Sequence, residues 1–460
     1  MSFGEKILAY KEDILRDLAT VIAIPSVCGA AEGKYPYGKE PARALDAVVE
    51  MAEKYGLKTK NVDYYAAHAE LGEGEELAIV MNHMDVVPAG ENWDTDPFEM
   101  VEKDGVVYGR GVDDNKGPAI VSLHCLRALK EAGVVGKRRI RVVFGSGEEI
   151  GMDDMNHYFA EEPYPTYGFT PDGAYGICHC EKGILHFKIV SDKEDSIVRS
   201  FVSGTVVNAV PYKAEADIRC SAEQLQKLTE SASVAEGKFE VSSIEGGAHI
   251  LSFGKACHGA APAGGFNAAA YLIKLLFSVF TAEEMGSLLT FAYEKIGTSY
   301  DGSMIGVDCQ DEVSGPLTFN FGIMKMENGC GRLEVDIRYP ATLSSAPMVK
   351  TMTEAAESYG LAFVNDMDEK PLYLPKDSKL INLLKGAYED MTGEDCTIYS
   401  MGGGTYARSM NNRGVAFGAG WPGDKISGGA HDANERLSID SLMKHAQICL
   451  EAMYRMYTTD

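Results

Sequence analysis

The chain is short of positive charge. Its 43 Lys and Arg stand against 68 Asp and Glu, a formal net charge of −25 over 460 residues. That balance opposes nucleic acid and anionic membranes as partners. No apolar run is long enough to span a bilayer, so no membrane role is expected. The opening stretch Met1-Ser2-Phe3-Gly4-Glu5-Lys6 has no basic segment followed by an apolar one, so no signal peptide is expected. The ten cysteines include no C-x-x-C pair. Dispersed cysteines fit a reduced, cytoplasmic protein. Cys178-His179-Cys180 reads as strand residues rather than as a zinc site. The glycine cluster Gly402-Gly403-Gly404 lacks the G-x-G-x-x-G spacing of a dinucleotide fold.

The chain does hold enough residues for two domains and the apolar content of a globular protein. Helical spacing covers 3–23, 41–55 and 117–132, and strands are expected at 58–64, 76–82 and 139–144. Residues 91–104 read as a loop. Strands alternating with helices argue an α/β domain with a mostly parallel central sheet. After about residue 183 the pattern changes to the period-two alternation of half-buried antiparallel strands. Within this part Glu215-Ala216-Asp217-Ile218-Arg219 and Glu334-Val335-Asp336-Ile337-Arg338 nearly repeat, each followed by a helical stretch. This predicts a duplicated α+β module. From 376 the α/β texture returns, with helices at 377–391 and 438–456. The expected domains are therefore 1–184 plus 375–460, with 185–374 inserted between them.

Acidic and histidine clusters sit at the ends of several expected strands. His83 and Asp85 stand two apart at the end of an extended apolar run, so both can face one site. The aspartate could then orient the imidazole of a metal ligand. Gly109-Arg110-Gly111-Val112-Asp113-Asp114-Asn115-Lys116-Gly117 lies at a strand-to-helix junction. Helix capping explains one of its aspartates but not the whole motif. Glu148-Glu149 follows another apolar strand, and is either a solvated loop or a paired or metal-bound site. Asp172 follows a third strand, and His431 lies in Ala430-His431-Asp432-Ala433-Asn434-Glu435. Such clusters can converge on the carboxyl edge of a sheet, where open α/β folds bind ligands. Mixed histidine and carboxylate donors suit Zn²⁺, Mn²⁺ or Co²⁺ better than Ca²⁺ or Mg²⁺.

The set His83-x-Asp85, Gly109-Arg110-Gly111-x-x-Asp114-x-Lys116-Gly117, Glu148-Glu149, Asp172 and His431 resembles the co-catalytic metallopeptidases. That family includes carboxypeptidase G, acetylornithine deacetylase, succinyl-diaminopimelate desuccinylase, carnosinase and the bacterial dipeptidase PepV. The resemblance runs motif by motif along nearly the whole chain. It implies an aminopeptidase-like catalytic domain and an inserted lid with a duplicated ferredoxin-like module. It also implies two divalent ions, Zn²⁺ before Mn²⁺, with Asp114 bridging them, and a cis peptide between Asp114 and Asn115. His83 and Asp172 would complete one ion, and Glu149 and His431 the other. Glu148 would be the general base for a water held between the ions, and Asp85 would orient His83. In the lid, His258 of Gly254-Lys255-Ala256-Cys257-His258-Gly259 would stabilise the transition state. Asn208 would contact substrate, and Arg338 would take the substrate's C-terminal carboxylate. Its repeat mate Arg219 would be structural or surface-facing. Gly403, Gly404 and Thr405 lie in a segment that closely resembles PepV and suits a carboxylate.

The expected function is hydrolysis of unblocked L-dipeptides by a monomer whose duplicated lid imitates a dimer. The alternatives are a deacylase or carboxypeptidase acting on N-acyl amino acids, and a non-catalytic metal- or peptide-binding protein.

Overall fold

A computed structural model describes residues 2–192 and 196–459. The chain divides into two compact units. The first holds 1–180, 372–400 and 404–460, and the second holds 181–371 and 401–403.

The first unit is built on a nine-stranded sheet. Its middle is parallel, in the order Arg139–Gly145, Leu77–His83, Tyr167–Thr170, Gly414–Phe417. Leu77–His83 is buried along its whole length, as expected of a strand with helices over both faces. The flanks are antiparallel, around the mostly parallel middle that was expected. Ala66–Leu71 and Lys58–Val62 add antiparallel strands on one side, and Ile177–Glu181 pairs antiparallel with Gly414–Phe417 on the other.

Ala66–Leu71 is hidden in the sequence because its alanines have weak strand preference. The expected strand at 58–64 stops at Val62, since Asp63 and Tyr64 take positive φ in a tight turn. The segment read as a loop contains the strand Val101–Lys103, paired with Val106–Tyr108. The first helix begins as a 3₁₀ stretch, Phe3–Tyr10, before the α-helix Lys11–Ile22.

Helices Lys116–Glu131 and Ile439–Thr458 pack together over the sheet. Leu123, Leu126, Leu450 and Met453 are fully buried there. Each such side chain contributes about 1.5–3 kcal/mol relative to exposure. This packing holds the parallel strands rigid, and all of them end at one edge.

The second unit is an eight-stranded antiparallel sheet with an internal pseudo-two-fold. In one half the strands Lys238–Ile244, Gly247–Phe253, Lys213–Arg219 and Val198–Ser203 lie in that order. In the other, Ala362–Glu369, Gly183–Ser191, Cys330–Tyr339 and Thr318–Glu327 repeat it. The halves meet where Val198–Ser203 pairs with Thr318–Glu327. The near-identical pentapeptides occupy equivalent strands, and the helices Ala222–Val234 and Ala346–Ser358 follow them at equivalent positions. The duplication is therefore real, but the halves are permuted. The strand equivalent to Gly247–Phe253 is Gly183–Ser191, which precedes both repeats in the chain. Helices on one face bury Leu333, Val335 and Ile337 of one half and Ala216 and Ile218 of the other.

Candidate metal centre

The parallel strands deliver their C-terminal ends to one edge. In register, His83 pairs with Gly145, so the strand end bearing His83 lies beside the turn Ser146–Glu149. Tyr167–Thr170 leads into Pro171-Asp172, and Asp114 precedes the helix Lys116–Glu131.

The side chains converge there. His83 is buried, and its Nε2 lies 3.0 Å from Asp114 Oδ1 and 3.8 Å from Asp172 Oδ2. Asp114 turns its other oxygen, Oδ2, to His431 Nε2 at 3.3 Å. His431 Nε2 also lies 3.2 Å from Glu149 Oε2. Two groups have donor atoms all within 4.8 Å of one another: His83, Asp114 and Glu149; and His83, Glu148 and Asp172. The peptide Asp114–Asn115 is cis.

Electrostatics follow from crowding. Burial pulls the His83 imidazole down, but Asp114 and Asp85 outweigh it and hold it well above its ordinary value. His431 is pushed up to about 10 by hydrogen bonds with Asp114 and Glu149. Burial raises Asp114, yet the imidazoles of His431 and His83 overcome it and leave the carboxyl well below its usual range. Glu148 goes the other way, raised well above an ordinary carboxyl by burial and then by Asp172. Several carboxylates facing two imidazoles in one cleft form a donor set that fits divalent cations.

Three further buried carboxylates hold the loops that carry these residues. Asp85 accepts from the amides of Glu148 at 3.3 Å and Glu149 at 3.0 Å. Asp154 accepts from Ser146 N at 2.9 Å, from Gly147 N at 3.0 Å and from the Tyr406 hydroxyl. Burial and the neighbouring Asp85 push Asp154 up to about 7. Glu435 accepts from Gly111 N, Asp113 N and Asp114 N at 2.8, 2.9 and 3.1 Å, and pairs with buried Arg110 at 2.8 Å. Gly111 is required in that loop. Its φ is 92°, and a Cβ would come within 2.9 Å of Val86. Asn115 ties two ligand segments together, donating to Pro171 O at 2.9 Å and accepting from His83 N at 3.4 Å.

Asp85 faces His83 through two of its groups. His83 Nδ1 lies 2.9 Å from the backbone carbonyl of Asp85 and 3.4 Å from its carboxylate. The carbonyl is the closer orienting partner, and the carboxylate chiefly braces the glutamate turn. Asp154, Glu435, Tyr406 and Asn115 were not identified from sequence. Glu435 lies four residues after His431, and that proximity to a candidate ligand is the signal that could have found it.

The remaining expected residues lie elsewhere. His258, Asn208, Arg338 and Gly403 are in the second unit. There Gly259 N donates to Asn208 O at 2.7 Å, joining the His258 and Asn208 segments. His258 Nδ1 accepts from Ala260 N at 3.0 Å. Arg338 Nη1 donates to Gly402 O at 3.0 Å. Gly404 and Thr405 are in the first unit, where Thr405 caps the 3₁₀ turn Tyr406–Met410 by accepting from Ala407 N. Arg219 is exposed and donates to Ser196 O. Cys178, His179 and Cys180 lie in the buried strand Ile177–Glu181.

Comparison with known proteins agrees with this geometry. Residues 79–455 match the profile of peptidase family M20/M25/M40. A Bacillus subtilis protein named "Putative dipeptidase YtjP" is 34% identical, over 99% of this chain and 100% of its own length. A Staphylococcus saprophyticus protein of the same description is 32% identical over 98% of each. Among solved structures, the Saccharomyces cerevisiae di-peptidase Dug1p matches with a TM-score of 0.60 at 15% identity, covering 100% of this chain and 98% of that one. Human carnosine dipeptidase 1 matches with a TM-score of 0.59 at 15% identity, covering 99% and 98%. At that identity the structural likeness is one of fold. The two bacterial relatives and the family match carry the family resemblance drawn from the motifs: this chain belongs to peptidase family M20/M25/M40.

Proposed function

We infer that the chain is a metal-dependent dipeptidase that hydrolyses the peptide bond of unblocked L-dipeptides. The observation that carries this reading is Asp114, whose two oxygens face two different imidazoles, each with a further carboxylate beside it. In this reading His83 and Asp172 hold one divalent cation, Glu149 and His431 hold another, and Asp114 serves both. The cations, when bound, supply Lewis-acid polarisation of the scissile carbonyl and of the attacking water. Zn²⁺ is the first choice for this donor set and Mn²⁺ the second.

The protein groups do the proton work. Glu148 lies in the group with His83 and Asp172, and it is the carboxyl raised by burial. A carboxylate there can take a proton from water and return it to the leaving amine. His258 is assigned to the developing oxyanion, and Asn208 to substrate contact. Arg338 is assigned to the substrate's carboxylate, for which its planar fork is suited. Gly403, Gly404 and Thr405 offer further groups to that carboxylate. The relatives' description as dipeptidases supports this substrate class. The duplicated second unit supports a monomer, since both halves of a paired lid are present in one chain. We further assign the protein to the cytoplasm.

The test is a panel of dipeptides and their N-acetylated counterparts, assayed with purified protein and added Zn²⁺ or Mn²⁺. Cleavage of free dipeptides such as Ala-Ala is expected to exceed that of N-acetyl-alanine. The reverse preference would establish a deacylase instead. No cleavage of any member would favour a binding protein.

A further inference from the structure

The sheet of the second unit carries the same three residue types twice. In one half Asp336 and Arg338 stand on Cys330–Tyr339, and His186 faces Asp336 from the neighbouring strand. In the other half Asp217 and Arg219 stand on Lys213–Arg219, and His249 faces Asp217. Each histidine lies against its aspartate, at 3.2 Å for His186 and 2.6 Å for His249.

The arginines part company. Arg338 Nε lies 2.8 Å from Asp336 Oδ1, and its Nη2 donates to Oδ2 at 3.1 Å. Arg219 turns away to the carbonyl of Ser196. Asp336 and Arg338 are buried, whereas Arg219 is exposed. Burying an ion pair costs desolvation that the pair itself barely repays, so the pair is better explained by the geometry it enforces.

The surroundings of Asp336 show what that geometry serves. Asn320 sits opposite Asp336 on the next strand and donates to Val207 O at 2.8 Å and Ala209 O at 3.1 Å. This pins the loop that carries Asn208. Gly259 lies over the aspartate so closely that a Cβ would meet Asp336 Oδ2 at 2.7 Å and Asn208 O at 2.9 Å. The segment that carries His258 is thereby seated on Asp336. Arg338 reaches on to Gly402 O. Asp336 is thus packed beneath segments that bear Asn208, His258 and Arg338. With Nε and Nη2 turned to Asp336, the end-on edge of the guanidinium is the one that can meet a second carboxylate.

We propose that Asp336, braced by His186, is a positioning residue that fixes the Arg338 fork end-on for the carboxylate of a dipeptide, and so sets the preference for a free C-terminus. This rests on the dipeptidase reading above. His186 Nε2 and Arg338 Nε both lie against Asp336 Oδ1, while Arg338 Nη2 donates to Oδ2. In the other half the Asp217–His249 pair is only half-buried, and its Arg219 donates to Ser196 O instead.

The experiment compares a dipeptide with its C-terminal amide on metal-loaded wild type and Asp336→Asn. Wild type should prefer the free acid. In the variant, KM for the acid should rise roughly 10–100-fold, with a smaller change in kcat, and the acid-over-amide ratio should collapse. Hydrolysis of the amide should stay within about threefold, which a general loss of structure would not allow. Arg219→Gln should keep the wild-type ratio. An unchanged ratio in a folded Asp336→Asn, or equal loss on acid and amide, overturns the assignment. Should that variant fail to fold, Arg338→Lys keeps the charge opposite Asp336 and removes the fork. A preserved acid preference there overturns the assignment as well. A wild type that cleaves no dipeptide removes the activity reading and this assignment together, whereas an active wild type with an indifferent variant removes only the latter.

Discussion

The carboxylate of Asp85 accepts the backbone amide of Glu149 at 3.0 Å, and it takes the amide of Glu148 at 3.3 Å with its other oxygen. One buried side chain thus holds the turn bearing a candidate base and a candidate ligand, while its own carbonyl orients His83.

Asp85→Ala should therefore do more than loosen a histidine. It leaves two part-buried amides without acceptors, at no more than about 1–3 kcal/mol each. Metal affinity should fall roughly 10–100-fold. Calorimetric metal titration and urea unfolding of the same variant check both effects. An unfolding midpoint equal to wild type, with weakened metal binding, would mean that Asp85 acts only through His83.

Glu148→Gln should separate binding from chemistry. The variant keeps a side chain of the same size beside His83 and Asp172, but it cannot carry a proton between water and amine. Turnover should drop about 10²–10⁴-fold. Metal content, read by elemental analysis, should stay near wild type. Turnover within a few-fold of wild type would remove Glu148 from the role of base.

Chelation should destabilise the first unit. Its candidate ligand carboxylates face two imidazoles at 3.0–3.8 Å, a donor set that a cation would tie together. A cation at about a hundred times its Kd stabilises by roughly 2.7 kcal/mol. Melting temperature should fall on addition of chelator and rise again with Zn²⁺ or Mn²⁺ in a concentration-dependent way. A melting curve indifferent to both would argue against cation binding at this cleft.

Acid should weaken the fold through two histidines remote from the cleft. His445 is fully buried against Tyr175, and burial depresses it to about 3. His68 is depressed to about 3 by burial and by Arg141. Below about pH 6.5 the unfolded chain protonates both imidazoles and the folded chain does not. Their contribution is fully present above that pH and is lost as pH falls toward 3, at about 1.4 kcal/mol per pH unit for each. Urea midpoints measured from pH 7 to pH 5 should slope accordingly, and His445→Gln should flatten the slope.

The local chemistry of the centre was legible in the chain. His83, Asp114, Glu148, Glu149, Asp172 and His431 each sit in a short motif whose residue types and spacing are set within a few positions. An apolar run followed at once by acids or histidine marks a strand end, and strand ends in an α/β sheet gather at one edge. The repeated pentapeptide likewise marked the duplication. What the sequence could not express is which distant group each loop leans on. Asp154 reaches Tyr406 across more than two hundred residues, Glu435 reaches the Gly111–Asp114 loop across more than three hundred, and His186 meets Asp336 across a sheet register. Those partners are chosen by strand order, by the antiparallel flanks and by the permutation of the second repeat. The sequence by itself determined the candidate ligand types and the family, because these reside in contiguous residues. The tertiary structure alone decided which buried carboxylates hold the ligands in place, because a buried amide or guanidinium takes whichever acceptor the fold brings within hydrogen-bond reach.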